Sequence, residues 1–353
     1  MSRLRTALTD LVGVEHPIVQ TGMGWVAGSR LVAATAEAGA LGILASATMT
    51  YEQLVSAIEE TKARTARPFG VNLRADAVDA SRRVDLLIRE GVRVASFALA
   101  PRREFIQRLK AAGVVVVPSI GAAKHALKVA DWGADAVIVQ GGEGGGHTGA
   151  VATTLLLPSV LDAVDIPVVA AGGFFDGRGL AAALSYGAAG VAMGTRFLLT
   201  RESTVPDAVK QAYLERGLDS TVVTTRVDGM PHRVLRTELV EHLEHSSRLR
   251  GLWLASRNAQ RFKKLTGLSW TDMLTEGLAS RHGKEQSWAQ MIMAANTPML
   301  LRAGLVEGRS DAGVLASGQV VGMLEDLPTC ADLIRTMVED ATAIIAKLPG
   351  LLA

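Results

Sequence analysis

The 353-residue sequence is informative first for what it lacks. It has a single cysteine, Cys330, which excludes an internal disulfide framework and any cysteine-rich metal site. Aromatic residues are scarce at 4%, and the tyrosines are only Tyr51, Tyr186 and Tyr213. No apolar run is long enough to span a bilayer. The N-terminal MSRLRTALTDLVG has neither an apolar core nor a small-residue cleavage site, so it does not read as a signal peptide. Neither sign of charge prevails: 37 Lys and Arg face 35 Asp and Glu, interspersed, for a net +2. A nucleic-acid partner would usually leave a concentrated basic stripe. These absences point to a cytoplasmic protein with neither a membrane nor a nucleic-acid partner.

Hydrophobic residues, at 48%, and 36 glycines are plentiful. Up to about Thr200, short β-branched runs alternate with Ala-rich helical patterns. The candidate strands are PIVQTG (Pro17–Gly22), LGILAS (Leu41–Ser46), FGVNLR (Phe69–Arg74), VRVASFA (Val92–Ala98), VVVVPSIG (Val114–Gly121), ADAVIVQGG (Ala134–Gly142), IPVVAAGG (Ile166–Gly173) and AGVAMGT (Ala189–Thr195). Most are continuously apolar, as parallel strands buried on both faces should be. Strict alternation leaves an open doubly wound sheet or a closed barrel; eight units in roughly 200 residues favour closure, an α/β fold of the (β/α)8 TIM-barrel type. AEAGALGI, REGVRVA, KAAGVVVV, ADWGADAV and SYGAAGVA share one design, a helix end with a glycine C-cap leading into the next strand. Beyond Thr200 the pattern changes, and Asp228–Gly308 reads as helical. The expected organisation is a barrel over residues 1–227, a helical insert over 228–310 and a C-terminal return to the barrel over 311–353.

In such barrels the active site lies at the C-terminal ends of the strands, with a phosphate site commonly built by the loops after strands seven and eight. Those loops are AAGGFFDGRG and MGTRF. Gly172, Gly173 and Gly194 would let backbone N–H groups approach an anion, Thr195 adds a hydroxyl, and each loop opens toward a helix N-terminus. Singly they are equally well read as tight strand–helix turns; paired, they favour a phosphate. The loop after strand six, GGEGGGHTG (Gly141–Gly149), is glycine except for Glu143, His147 and Thr148. Ordered glycine is entropically costly, so such a cluster suggests backbone lying against a flat ligand. It contains a formal G-x-G-x-x-G but lacks the acidic residue of a dinucleotide fingerprint. His147 at the mouth of this loop could serve as acid, base or polar donor. His125, His232, His242, His245 and His282 form no convincing ligand set, so no metal is expected.

QTGMGW, VNLR, QGGEGGGHTG, AAGGFFDGRGLAAAL, MGTRFLLTRES and GMPHRVLRT together resemble the nitronate monooxygenase (2-nitropropane dioxygenase)-like flavoproteins, a family that also holds FMN-dependent enoyl-thioester reductases. The resemblance covers most of the chain and implies FMN. Gly22 and Met23 would border its isoalloxazine ring, with Asn72 and Gln140 along the polar edge. Gly145 and Gly146 would flank it, and Gly172, Gly173, Gly194 and Thr195 would hold the phosphate. The barrel is then the FMN-binding domain and the insert a substrate-binding subdomain.

Further stretches, among them LASATMT, VASFALAP, DSTVVTTRVDGMPHRVLRTELVE and MAANTPMLL, resemble an actinobacterial subgroup of cholesterol ring C/D catabolism. Its members are named as reductases of a hydroxy-methyl-oxo-indene-carboxyl-CoA and change a ring C–C bond between single and double. The expected substrate is accordingly a steroid-derived acyl-CoA, with nitronate oxidation by O2 as the alternative. The three tyrosines do not reproduce the tyrosine-lined flavin site of bacterial nitronate enzymes. Arg226, Arg233 and Arg236, with Arg248, Arg250, Arg257, Arg261, Lys263 and Lys264, could meet coenzyme A phosphates, or could form an ordinary solvated face. No NAD-binding domain is visible, so a nicotinamide electron partner would share the barrel mouth. A sugar-phosphate isomerase or lyase barrel and a non-enzymatic flavin-binding module are the competing classes.

Overall fold

The computed structural model describes residues 4–98, 101–245, 296–309 and 312–351. Its elements run α1 (Ala7–Val12), β1 (Ile18–Gln20), α2 (Ser29–Glu37), β2 (Leu41–Ala45), α3 (Tyr51–Arg64), β3 (Phe69–Leu73), α4 (Ala80–Arg89), β4 (Val94–Phe97), α5 (Arg103–Ala111), β5 (Val115–Ile120), α6 (Ala123–Asp131) and β6 (Val137–Gln140). Then follow β7 (Gly146–His147), α7 (Thr153–Leu161), β8 (Val168–Ala171), α8 (Gly177–Ser185), β9 (Gly190–Met193), α9 (Thr195–Leu198), α10 (Asp207–Leu214), β10 (Thr221–Thr224), β11 (His232–Leu235), α11 (Glu238–His245), α12 (Asn296–Leu305) and α13 (Cys330–Lys347).

Eight parallel strands, β1 to β6 with β8 and β9, pair in chain order. The ring closes where β9 returns to β1 through Ile18↔Val191, Val19↔Ala192 and Gln20↔Met193. These are the eight expected segments, and the closed barrel is the expected fold. Val19, Leu41, Ile43, Val94, Val117, Ile138 and Val169 fill its interior, and Leu8 and Val12 of α1 join them from below. Thr6 ties that plug to the wall, its hydroxyl donating to the Ala189 carbonyl at 2.6 Å.

The recurrent glycines do what their pattern predicts. Gly39, Gly91, Gly113, Gly133 and Gly187 all have positive φ, between +62° and +98°. Each donates to the carbonyl three residues back, and its successor donates to the carbonyl five residues back, as in Gly113 N–H to Lys110 and Val114 N–H to Leu109. This is the Schellman ending, which stops each helix and aims the chain into the next strand.

The C-terminal helix α13 packs along α8 and α2. At Gly177 a Cβ would lie 2.4 Å from the Asp340 Cβ and 2.7 Å from the Ala341 N, so the missing side chain is what admits this helix. Beside the barrel mouth, β10, β11 and β7 form a small antiparallel sheet in the order β10–β11–β7. The helical reading of Asp228–Gly308 misses β11, a four-residue strand too short to show a period in the sequence. The described part of that stretch also holds the helices α11 and α12, while Arg248, Arg250, Arg257, Arg261, Lys263, Lys264 and His282 lie outside the described residues. No helix among the described residues is long and apolar enough to cross a membrane.

Candidate active site

The ends of β8 and β9 expose unspent backbone donors. After Ala171 the chain turns through Gly172 (φ +93°) and Gly173 (φ +86°), a conformation that costs other L-residues about 1–2 kcal/mol. On the neighbouring strand Gly194 and Thr195 follow Met193. Among the described residues, no backbone hydrogen bond is donated by Gly172, Gly173, Gly194 or Thr195. Gly172 and Gly194 are partly buried, Thr195 buried and Gly173 exposed, and four such donors on adjacent strand ends could receive an anion. Helix N-termini contribute less than the sequence suggests: α9 has four residues, and the Asp176 carboxylate already caps α8 by accepting from Gly179 N–H at 3.1 Å.

Across the mouth, the other predicted residues meet in pairs. A Cβ on Gly22 would sit 2.5 Å from the Asn72 Cβ, and one on Gly194 would sit 3.4 Å from the Met23 sulfur. Asn72 donates its amide to the Ser96 hydroxyl at 3.2 Å. Below them Gln20 is fully buried, with its Oε1 unpartnered among the described residues. Of the tyrosines, Tyr213 is buried with its hydroxyl donating to the Ala316 carbonyl at 2.8 Å. Tyr51 lies under the Arg82 guanidinium, and Tyr186 is exposed at the end of α8.

The glycine loop after β6 differs from its sequence reading. Its glycines are required largely by the chain itself. A Cβ would fall 2.0 Å from the Thr153 hydroxyl at Gly141, 2.6 Å from the Gln140 amide at Gly144, and 2.5 Å from the Gly318 N at Gly145. Gln140 donates to the His147 carbonyl at 2.9 Å, bracing the loop. The Ser317–Gly318 turn, which the sequence did not single out, stitches two loops together. Gly318 N–H donates to the Thr195 hydroxyl at 2.9 Å and Gln319 N–H to the Glu143 carbonyl at 3.0 Å. Gly146 alone in this run has positive φ (+74°), and a Cβ there would have open space apart from His232 Nε2 at 4.0 Å.

His147 is held by the small sheet. It lies opposite His232 in the β7–β11 ladder, and its Nε2 is 2.6 Å from Asp228 Oδ2. The two imidazoles lie 4.6 Å apart at 49°, and His232 Nδ1 is 3.6 Å from the same carboxylate oxygen. Asp228 and His232 are buried, whereas the His147 side chain is 46% exposed. Burial by itself would push the Asp228 carboxyl up; the hydrogen bonds and charges of His147 and His232 outweigh it and hold the group well below the usual carboxylate range. Sequence reasoning found His147 but missed Asp228 and did not join His232 to it, because a cross-strand pairing 85 positions apart leaves no local signal. The three side chains have their ligand atoms within 4.8 Å of one another.

The arginines separate by role. Arg233 donates twice to the Gly142 carbonyl, at 3.1 and 2.9 Å, and once to the Thr221 hydroxyl at 2.9 Å. It therefore braces the glycine loop against β10. Arg226 is partly exposed and Arg236 exposed.

The model of the nitronate monooxygenase family matches residues 5–83 and 76–340. The chain belongs to that family. It is thus an oxidoreductase of the flavoprotein family whose motifs it carries. A protein of Rhodococcus jostii (strain RHA1) is 73% identical over 353 residues, all of both chains. One of Mycobacterium tuberculosis (strain ATCC 25618 / H37Rv) is 72% identical over 342 residues, 96% of each. Both are named (3aS,4S,5R,7aS)-5-hydroxy-7a-methyl-1-oxo-octahydro-1H-indene-4-carboxyl-CoA dehydrogenase. Among solved structures, FabK from Thermotoga maritima has a TM-score of 0.79 at 34% identity, covering 99% of this chain and all of that one.

Proposed function

We propose that the protein is a cytoplasmic FMN-dependent oxidoreductase acting on a ring carbon–carbon bond of a steroid-derived indene-carboxyl-CoA thioester in cholesterol catabolism. The observation that carries this reading is the 73% identity, over the full length of both chains, to a relative named for oxidation of such a thioester.

The mouth suits FMN. Four unspent N–H groups at Gly172, Gly173, Gly194 and Thr195 match the acceptor oxygens of one phosphate. Gly22, Met23 and Asn72 form the wall where the ring would lie, with Gln140 bracing its edge. Gly146 offers open backbone, while Gly145 reaches the cofactor only together with the Ser317–Gly318 turn packed on it. Bound FMN supplies two-electron hydride chemistry, and the chain supplies position and proton handling. With Nε2 committed to Asp228, His147 has Nδ1 available to exchange a proton with the substrate. The β10–β11 hairpin contributes to the substrate side, where the partly exposed Arg226 and exposed Arg236 would meet coenzyme A phosphates and Arg233 keeps the wall in place.

The test is spectroscopic. Purified protein should be yellow and release FMN on denaturation, and anaerobic mixing with the indene-carboxyl-CoA thioester should bleach the flavin band. Bleaching by an alkyl nitronate and not by the thioester would return the protein to nitronate oxidation; colourless, FMN-free protein would reject the flavin assignment.

A further inference from the structure

The proposed reading assigns His147 a proton but leaves unexplained why a carboxylate is buried behind it. Among the described residues, His147 Nε2 lies 2.6 Å and His232 Nδ1 3.6 Å from Asp228 Oδ2, and Asp228 Oδ1 accepts from Met230 N–H at 3.1 Å. A buried ionised carboxylate is costly unless paired and hydrogen-bonded, and the shortest contact Asp228 makes among the described residues is the one to the His147 ring.

A shared metal is one chemistry for two histidines and an aspartate. The distances argue against it. Two ligands held at 2.0–2.1 Å in a tetrahedral zinc site stand about 3.3 Å apart, and 2.6 Å is the separation of a donor and acceptor sharing a proton.

Resting on the proposed reading, we infer that Asp228 is a positioning residue that fixes His147 in the tautomer with hydrogen on Nε2, leaving Nδ1 bare toward the substrate. Held ionised by its surroundings, Asp228 can only accept, so the hydrogen between the two groups belongs to His147. When substrate loses a proton and keeps the bonding electrons, that proton forms the new N–H bond at Nδ1, and the carboxylate offsets the imidazolium charge. The buried His232 ring lies tilted against His147, 4.6 Å away at 49°, with its Nδ1 3.6 Å from the same carboxylate oxygen. The hairpin that carries Asp228 and His232 thus gives the barrel mouth a base of defined orientation.

The experiment uses holoenzyme and single-turnover flavin bleaching by the thioester. Asp228→Asn should lower the bleaching rate about ten- to hundred-fold, the usual cost of removing a partner that orients a histidine, with flavin content and KM unchanged. The double variant His147→Ala/Asp228→Asn should be no slower than His147→Ala alone, because a residue acting through another contributes nothing once that other is gone. Nitrogen-15 spectra of histidine-labelled wild-type protein should show His147 protonated at Nε2, a readout that needs no variant to fold. A wild-type rate in Asp228→Asn, additive losses in the double variant, an Nδ1-protonated resonance, or activity removed by a chelator and restored by zinc would each overturn the assignment. A slow His147→Ala beside a normal Asp228→Asn would leave the proposed function standing. An unaffected His147→Ala would overturn both the positioning role and the role of His147, while bleaching by the thioester would still stand on its own.

Discussion

Two glycine-rich regions border the same mouth, and they are glycine-rich for different reasons. In the loop after β6, side chains at Gly141, Gly144 and Gly145 would collide with Thr153, Gln140 and the Ser317–Gly318 backbone. At the end of β8, a Cβ on Gly173 would meet nothing closer than the Glu143 Cβ at 3.8 Å, yet the N–H groups of Gly172 and Gly173 are unspent and both φ values are positive. The first loop is small because protein packs against it. The second is small because both residues take positive φ, and at Gly172 a Cβ would also press on the Thr153 hydroxyl at 3.0 Å and the Gly141 carbonyl at 3.1 Å. Glycine content alone does not distinguish packing from ligand binding; the neighbouring atoms do.

The sharpest way to break this contrast is to add side chains on each side. Gly145→Val should destabilise the fold strongly, because a Cβ 2.5 Å from backbone nitrogen cannot be relieved by a rotamer change. Overpacking of a well-filled site typically costs about 1–3 kcal/mol and more when backbone must move. Thermal unfolding should show a large fall in Tm; a Tm within error of wild type would mean that the Ser317–Gly318 turn yields freely.

Gly173→Leu should do the reverse. The strain of a positive φ costs about 1–2 kcal/mol, which a domain of this size survives, but the leucine occupies the space into which an anion must come. The protein should purify folded and nearly colourless, judged by circular dichroism and flavin absorbance. Full flavin occupancy would place the phosphate elsewhere.

The barrel was legible in the sequence because its signals are local and repeated. Five helix endings share one glycine design, and eight apolar runs stand at near-constant spacing. What escaped was made by pairing across distance. Asp228 becomes a partner of His147 only because β11 lies beside β7, and Gly318 becomes part of the mouth only by donating to Thr195. The glycine loop was read as ligand-facing since the sequence cannot show that Ser317 and Gly318 arrive to fill the space.

The arginines sharpen the contrast on the substrate side. Arg233 belongs to the packed region, bound to the Gly142 carbonyl, whereas Arg226 and Arg236 belong to the open one. Charged hydrogen bonds are worth about 1.5–3 kcal/mol when formed, less where water competes. Arg226→Ala/Arg236→Ala should therefore raise KM for the CoA thioester several-fold without loss of flavin or Tm. Arg233→Ala should instead lower Tm. Equal KM values for wild type and the double variant would return these two side chains to a solvated face.

The smallest expected effect tests whether the hairpin behind the glycine loop really stores an ionised carboxylate. Asp228 is held well below its ordinary value in the folded protein, so on unfolding it takes up a proton only once the pH nears about 3.9, the ordinary Asp value. Its contribution to stability is present above that value and declines as pH falls through the interval toward the folded one. Comparing wild type with Asp228→Asn cancels the other carboxylates. The stability gap between them should narrow by under about 1 kcal/mol on going from pH 4.5 down to pH 3.5. Denaturant unfolding at several pH values measures it. A gap that stayed flat or widened between pH 4.5 and 3.5 would mean that the carboxyl titrates in the folded protein at or above its ordinary value, and that the two histidines do not hold it ionised.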